Sequence, residues 1–169
     1  MKETIEKSNL NPKDPIIKIA NTIPDFTNDS EKIKNVATKM ILTGTRRLPI
    51  VDKTSNVVGI VSTMDILNAF SRGINFNKQI SEIMIREIIT CNIEEKLDSV
   101  LQKMIFSKRG GMPIVKNKKL VGIVNERNFV RMLYDTKIKE TISTIMSKKP
   151  IFLKSGTKIN DALKSMVNT

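Results

Sequence analysis

The residues with the greatest chemical capacity lie in one turn, Gly59-Ile-Val-Ser-Thr-Met-Asp65, where the hydroxyls of Ser62 and Thr63 and the carboxylate of Asp65 stand between an apolar run and a helix-forming stretch. A helix that starts there offers free backbone N–H groups and a partial positive charge, a combination that suits an anionic ligand. The same residues also suit a purely structural role, with Ser62 capping the helix and Asp65 favouring its positive end. The turn by itself leaves both roles open. Arg46 and Arg47 come just before Leu48 and Pro49, at the mouth of the preceding β-rich run. A guanidinium fork can bond two phosphate oxygens at once, and it can equally be a surface charge on a connecting loop.

Other chemistries are excluded by what the chain lacks. It contains no His and a single Cys, Cys91, so histidine-dependent triads, His-ligated zinc and histidine proton shuttles are ruled out. No paired carboxylates or CxxC motif replace them, and the chain reads as a non-enzyme with no catalytic residues and no metal site. The lone cysteine has no internal disulfide partner, in keeping with a reducing compartment. No apolar run reaches membrane-spanning length, and the polar start from Met1 to Asp14 lacks the apolar stretch of a signal peptide. The expected location is cytoplasmic. Lys and Arg outnumber Asp and Glu by 29 to 17, a net charge of +12, and a field of that sign attracts nucleotide phosphates, nucleic acid or acidic protein faces. With 40% apolar residues but only six Phe and one Tyr, the core must be built from Ile, Leu, Val and Met, which suits layered α/β packing.

What must position the turn is a repeat. Ile16-Ile-Lys-Ile-Ala, Ile80-Ser-Glu-Ile-Met and Ile142-Ser-Thr-Ile-Met open three similar segments. Each leads to an apolar helical stripe: Ile33, Val36, Ala37, Met40 and Ile41; then Leu97, Val100, Leu101, Met104 and Ile105; then Ile159, Ala162, Leu163, Met166 and Val167. The methionines on these stripes read as core filler. After the first two helices come paired short strands, Pro49-Ile-Val with Val57-Val-Gly-Ile-Val, and Pro113-Ile-Val with Leu120-Val-Gly-Ile-Val, each joined as a hairpin. The Asp52 to Asn56 turn is one residue longer than its counterpart. A second helix follows each hairpin, through Ile66, Leu67 and Phe70, and through Phe129, Val130 and Leu133.

The order of elements, the Pro-led strand, the Gly-Ile-Val strand and the polar turn ending in Asp resemble the CBS domain, whose tandem pairs are called Bateman modules. The resemblance covers nearly all of residues 16–169. It implies an α/β fold of tandem CBS repeats (extended segment, helix, strand, strand, helix) packed with pseudo-twofold symmetry. The organisation expected is an N-terminal extension over 1–15, one repeat over 16–76, a second over 77–138 and an incomplete third over 139–169. A half repeat exposes apolar surface that it cannot bury alone, so the chain reads as a piece of a longer multi-repeat protein, or its tail packs on another surface.

The resemblance also implies a function: sensing of an adenine nucleotide (AMP, ADP or ATP) or an S-adenosyl compound as a regulatory ligand between the repeats. In CBS proteins the Ser or Thr after Gly-Ile-Val and the Asp three residues on bind ribose and phosphate, which carries over to Ser62, with Thr63 beside it, and Asp65. Basic residues at the place of Arg46 and Arg47 face phosphates in that family. A base held by Asp65 would rest against the other repeat, at Met84, Ile85, Ile89 and the Gly110-Gly111-Met112 approach to Pro113. The second repeat departs from the first, with Gly110 and Gly111 replacing the arginines and Asn125 and Asn128 replacing Ser62 and Asp65, so a weaker second cleft is expected there. Family habit further implies a homodimer through the helices and a regulated protein partner. The competing function is nucleic-acid binding through the basic surface, though the chain has no recognisable nucleic-acid-binding signature and few aromatics for stacking on bases.

Overall fold

The computed structural model describes residues 10–132 and 141–167. Each helical stripe becomes a helix that buries one side on a small sheet. In the first repeat α1 (Ile33–Thr43) buries Ile33, Val36 and Met40, and it ends at Gly44, whose φ of 66° turns the chain out of the helix. The hairpin of β2 (Arg47–Val51) and β3 (Val57–Ser62) follows, then α2 (Thr63–Ser71). The second repeat matches it with α3 (Leu97–Ser107), β5 (Gly111–Lys116), β6 (Lys119–Asn125) and α4 (Glu126–Met132). Leu133, expected on α4, lies outside the described residues.

Each sheet gains a strand that the sequence pattern did not announce. The two-residue strands β1 (Thr27–Asn28) and β4 (Cys91–Asn92) run parallel to β2 and β5, giving sheet orders β1-β2-β3 and β4-β5-β6. The hairpin turns solve their length difference with different chemistry. Asp52 Oδ1 accepts from the N–H groups of Thr54 and Asn56 at 2.8 and 3.0 Å in the longer turn. In the shorter one Asn117 and Lys118 both adopt positive φ, 51° and 67°, which matches the twist of a tight hairpin.

Two aliphatic cores result, and each is closed by the other repeat's leading segment. Those segments are not fully extended, since Ile16–Lys18 and Ile80–Glu82 each form one turn of 3-10 helix. Ile16 packs into the second repeat's core with Leu97, Val100, Met112 and Val124, while Ile80 and Met84 pack into the first with Ile33, Val36, Leu48 and Val61. The backbone bridges obey the same exchange: Pro15 to Lys96 and Asn21 to Ile123 on one side, Gln79 to Lys32 and Ile85 to Ile60 on the other. This reciprocal pairing is the pseudo-twofold, and it explains why neither repeat closes a core from its own residues.

The stripes are narrower than their periodicity suggests. Ile41 and Ile105 are 80% and 69% exposed, and their neighbours Leu42 and Phe106 are 81% and 94% exposed. They lie on the sides of α1 and α3 that face away from the sheets. The third segment forms its turn (Ile142–Thr144) and its helix, α5 (Ile159–Val167), and α5 lies beside α2. Ile142, the counterpart of fully buried Ile16 and Ile80, is 72% exposed. No helix among the described residues is long and apolar enough to cross a membrane.

Candidate functional site

The turn after β3 is a capping box. The Asp65 N–H donates to Ser62 Oγ at 3.3 Å, and Asp65 Oδ2 accepts from the Ser62 N–H and from Ser62 Oγ, both at 2.7 Å. The structural role of these two residues is therefore real, but it occupies only one carboxylate oxygen. Oδ1 takes no hydrogen bond from the described residues. Both side chains line a cavity between the repeats, with Arg47 on the same side and Lys108, Arg109, Gly110 and Gly111 opposite. Ile60, Ile85, Ile88 and Ile89 supply an apolar wall, and Glu87 adds a second carboxylate. A cavity of this kind can hold a flat apolar group against the isoleucines, a diol at Asp65 and an anionic group at the cations.

The expected site residues are partly brought together. Ser62, Asp65, Arg47, Ile85, Ile89, Gly110 and Gly111 share this cavity. Thr63 does not line it; it is the exposed first residue of α2, and its N–H donates to the Arg46 carbonyl at 3.0 Å. Met84 and Met112 are corrected from wall to core, with Met84 8% exposed and Met112 fully buried. Met84 packs into the first repeat's core and Met112 into the second's. Lys108, Arg109, Glu87, Ile60 and Ile88 were missed. The basic pair Lys108-Arg109 directly precedes the glycine pair, and reading two residues back from Gly110 would have found it.

A second cavity lies beside the first, and it too is more basic than its amides suggested. Asn125 lines it together with Asn21, Thr43 and Thr45, and so do Arg46, Arg47 and Arg127, with Asp25 and Glu126 as the acidic members. The two adjacent arginines are thus divided: Arg46 lines only the second cavity, whereas Arg47 lines both. Asn128 is not among the residues that line these two cavities, and its side chain is engaged within the turn and with the leading segment. Its Oδ1 accepts from the Asn125 N–H at 2.8 Å, its N–H donates to Asn125 Oδ1 at 3.3 Å, and its Nδ2 donates to the Ile19 carbonyl at 2.8 Å. Among the described residues no cluster of three or more His, Cys, Asp or Glu could hold a metal ion.

Comparison with known proteins agrees with this architecture. The CBS domain model matches residues 13–72 and 80–135. An L-aspartate semialdehyde sulfurtransferase of Methanocaldococcus jannaschii is 32% identical over 135 residues, which is 77% of this chain and 26% of that protein. The chain therefore spans about a quarter of that relative's length. Among solved structures, the CBS domain pair of protein MJ0100 in complex with 5′-methylthioadenosine and S-adenosyl-L-methionine superposes with a TM-score of 0.67 at 31% identity, over 72% of this chain and 97% of that one. Protein MJ1225 from Methanocaldococcus jannaschii superposes with a TM-score of 0.83 at 26% identity, over 91% of this chain and 62% of that one. With both repeats matched, and with their exchanged leading segments and paired small sheets on view, the chain belongs to the CBS domain family.

Proposed function

We propose that the chain is a regulatory module that binds an adenosyl ligand in the cavity of Ser62, Asp65 and Arg47, and that it carries no catalytic activity of its own. The observation that carries this reading is the composition of that cavity: an aliphatic wall for a purine, a carboxylate with an unengaged oxygen for ribose hydroxyls, and three cations for a phosphate. The reading is supported by the CBS pair of MJ0100, a relative at 31% identity whose structure holds 5′-methylthioadenosine and S-adenosyl-L-methionine. Because residues of both repeats line the cavity, a ligand there favours one relative packing of the repeats, and a partner protein that contacts both repeats senses the change. The exposed apolar residues Ile41, Leu42, Ile105 and Phe106 offer a face for a second copy of the chain, and sedimentation velocity of Phe106→Lys against the parent checks that pairing.

Calorimetric titration with AMP, ADP, ATP, 5′-methylthioadenosine and S-adenosyl-L-methionine, with GMP as control, tests the function. Saturable binding of at least one adenosyl compound, with GMP weaker, is the expected result. Absence of heat and of any thermal stabilisation with all five would overturn it.

A further inference from the structure

The two repeats differ most sharply where Arg46-Arg47 in one corresponds to Gly110-Gly111 in the other, and the structure gives this difference a reason. Arg47 opens β2, opposite Ser62, and its side chain crosses to the other repeat, where Nη1 donates to the Gly110 carbonyl at 3.4 Å. A Cβ added at Gly110 would come within 2.5 Å of Arg47 Nη2, and one at Gly111 within 3.4 Å of Arg47 Cδ. The space beside Gly110 is shared by the Arg47 guanidinium of the first repeat and the Glu126 carboxylate of the second, and Arg47 Cδ lies in contact range of Gly111. The pseudo-twofold brings equivalent positions close together here, and an arginine of one repeat lies against a glycine of the other. The guanidinium that results stands on the wall common to both cavities.

We propose that Arg47 is a single anion-binding residue shared by the two clefts, so that both select phosphorylated over neutral adenosyl ligands through the same guanidinium. The inference rests on the adenosyl-binding reading above and adds to it a second occupied cleft and a residue that serves both. Arg has the donors for the task, since a guanidinium carries five N–H groups in a fixed fork and one carbonyl acceptor leaves most of them available. Arg46 is the internal control, being its neighbour in sequence, of the same charge, and confined to the second cavity.

The test is calorimetric titration of the parent chain, Arg47→Gln and Arg46→Gln with AMP and with neutral adenosine, each variant first shown to melt like the parent. The expected result is two AMP-binding steps in the parent, both weakened about tenfold by Arg47→Gln, as fits loss of a charge-assisted hydrogen bond. Arg46→Gln weakens only one step by a similar factor, and adenosine binding stays within about twofold of the parent in both variants. If Arg47→Gln weakens a single step, if the parent shows only one AMP step, or if adenosine loses as much as AMP, sharing is overturned while adenosyl binding stands. If the parent binds neither compound, the functional reading falls and the sharing falls with it.

Discussion

The turn that ends the first repeat's sheet and the turn that ends the second's make the same two backbone bonds with different side chains. Asp65 Oδ2 and Asn128 Oδ1 each accept from the N–H three residues earlier, at 2.7 and 2.8 Å, and each residue's own N–H donates to the capping side chain at 3.3 Å. They part at the remaining atom. The amide of Asn128 can donate and spends its Nδ2 on the Ile19 carbonyl, tying α4 to the leading segment that closes the second core. The carboxylate of Asp65 can only accept, and among the described residues its second oxygen has no donor. One atom of difference makes the same turn a strut in one repeat and a candidate binding group in the other, while the cores beneath stay equivalent.

The largest effects should come from what the repeats have in common. Ile16 and Ile80 are both fully buried, each in the opposite repeat's core. Ile16→Ala and Ile80→Ala should each lower unfolding stability by about 2–5 kcal/mol in a denaturant titration, as large-to-small core changes do. Ile142→Ala, at a site 72% exposed, should stay within about 0.5 kcal/mol of the parent. A marked inequality between the first two would show that the cores are not equivalent after all.

Both turns lose cap hydrogen bonds when their third residue becomes alanine, but only Asp65 also lines the proposed ligand cavity. Asp65→Ala should weaken binding of the best adenosyl ligand by roughly ten- to a hundredfold through loss of a charge-assisted hydrogen bond. Asn128→Ala removes the two hydrogen bonds made by its side chain and should lower stability by about 1–3 kcal/mol with much less effect on binding. Paired calorimetry and melting of the two variants read both quantities. Equal loss of affinity in the two would mean that the clefts are coupled strongly enough to hide the asymmetry.

Much of this was legible in the sequence because it is local. Ile33, Val36 and Met40 at helical spacing, the Pro-led strands and the Ser62-x-x-Asp65 cap each declare themselves within a few residues. The strands β1 and β4 are too short to show any alternation. The exchange of Ile16 and Ile80 between cores is a non-local pairing that no window along the chain contains. Arg46 and Arg47 look like one feature in sequence, but only Arg47, the first residue of β2, reaches the first cavity, while Arg46, in the bend before the strand, lines the second alone. Met84 and Met112 left the expected wall because each fills the core beneath it, a packing partnership no window along the chain contains. Ile41 and Ile105 fit the stripe by spacing and still face outward, because the sheet beneath each helix is only three strands wide.

The smallest effect at neutral pH comes from another pair that occupies equivalent strands. Thr27 on β1 and Cys91 on β4 are both buried, at 8% and 1% exposure, and both sit on two-residue strands parallel to the next. Only the thiol can ionise near the accessible range. Burial first, and the nearby Glu95 carboxylate second, push its pKa from 9.0 to about 12. The folded chain therefore holds this proton at a pH where the unfolded chain has released it. The associated stability is fully present below pH 9 and is lost as the pH rises from 9.0 toward about 12. Across that interval the parent should lose up to about 1.4 kcal/mol per pH unit more than Cys91→Thr, which borrows the side chain of the equivalent strand and has nothing to titrate. The difference between the two denaturation series cancels every other pH response that the two chains share. Parallel series with no divergence above pH 9 would mean that the Cys91 environment is as open to solvent as that of an unfolded thiol.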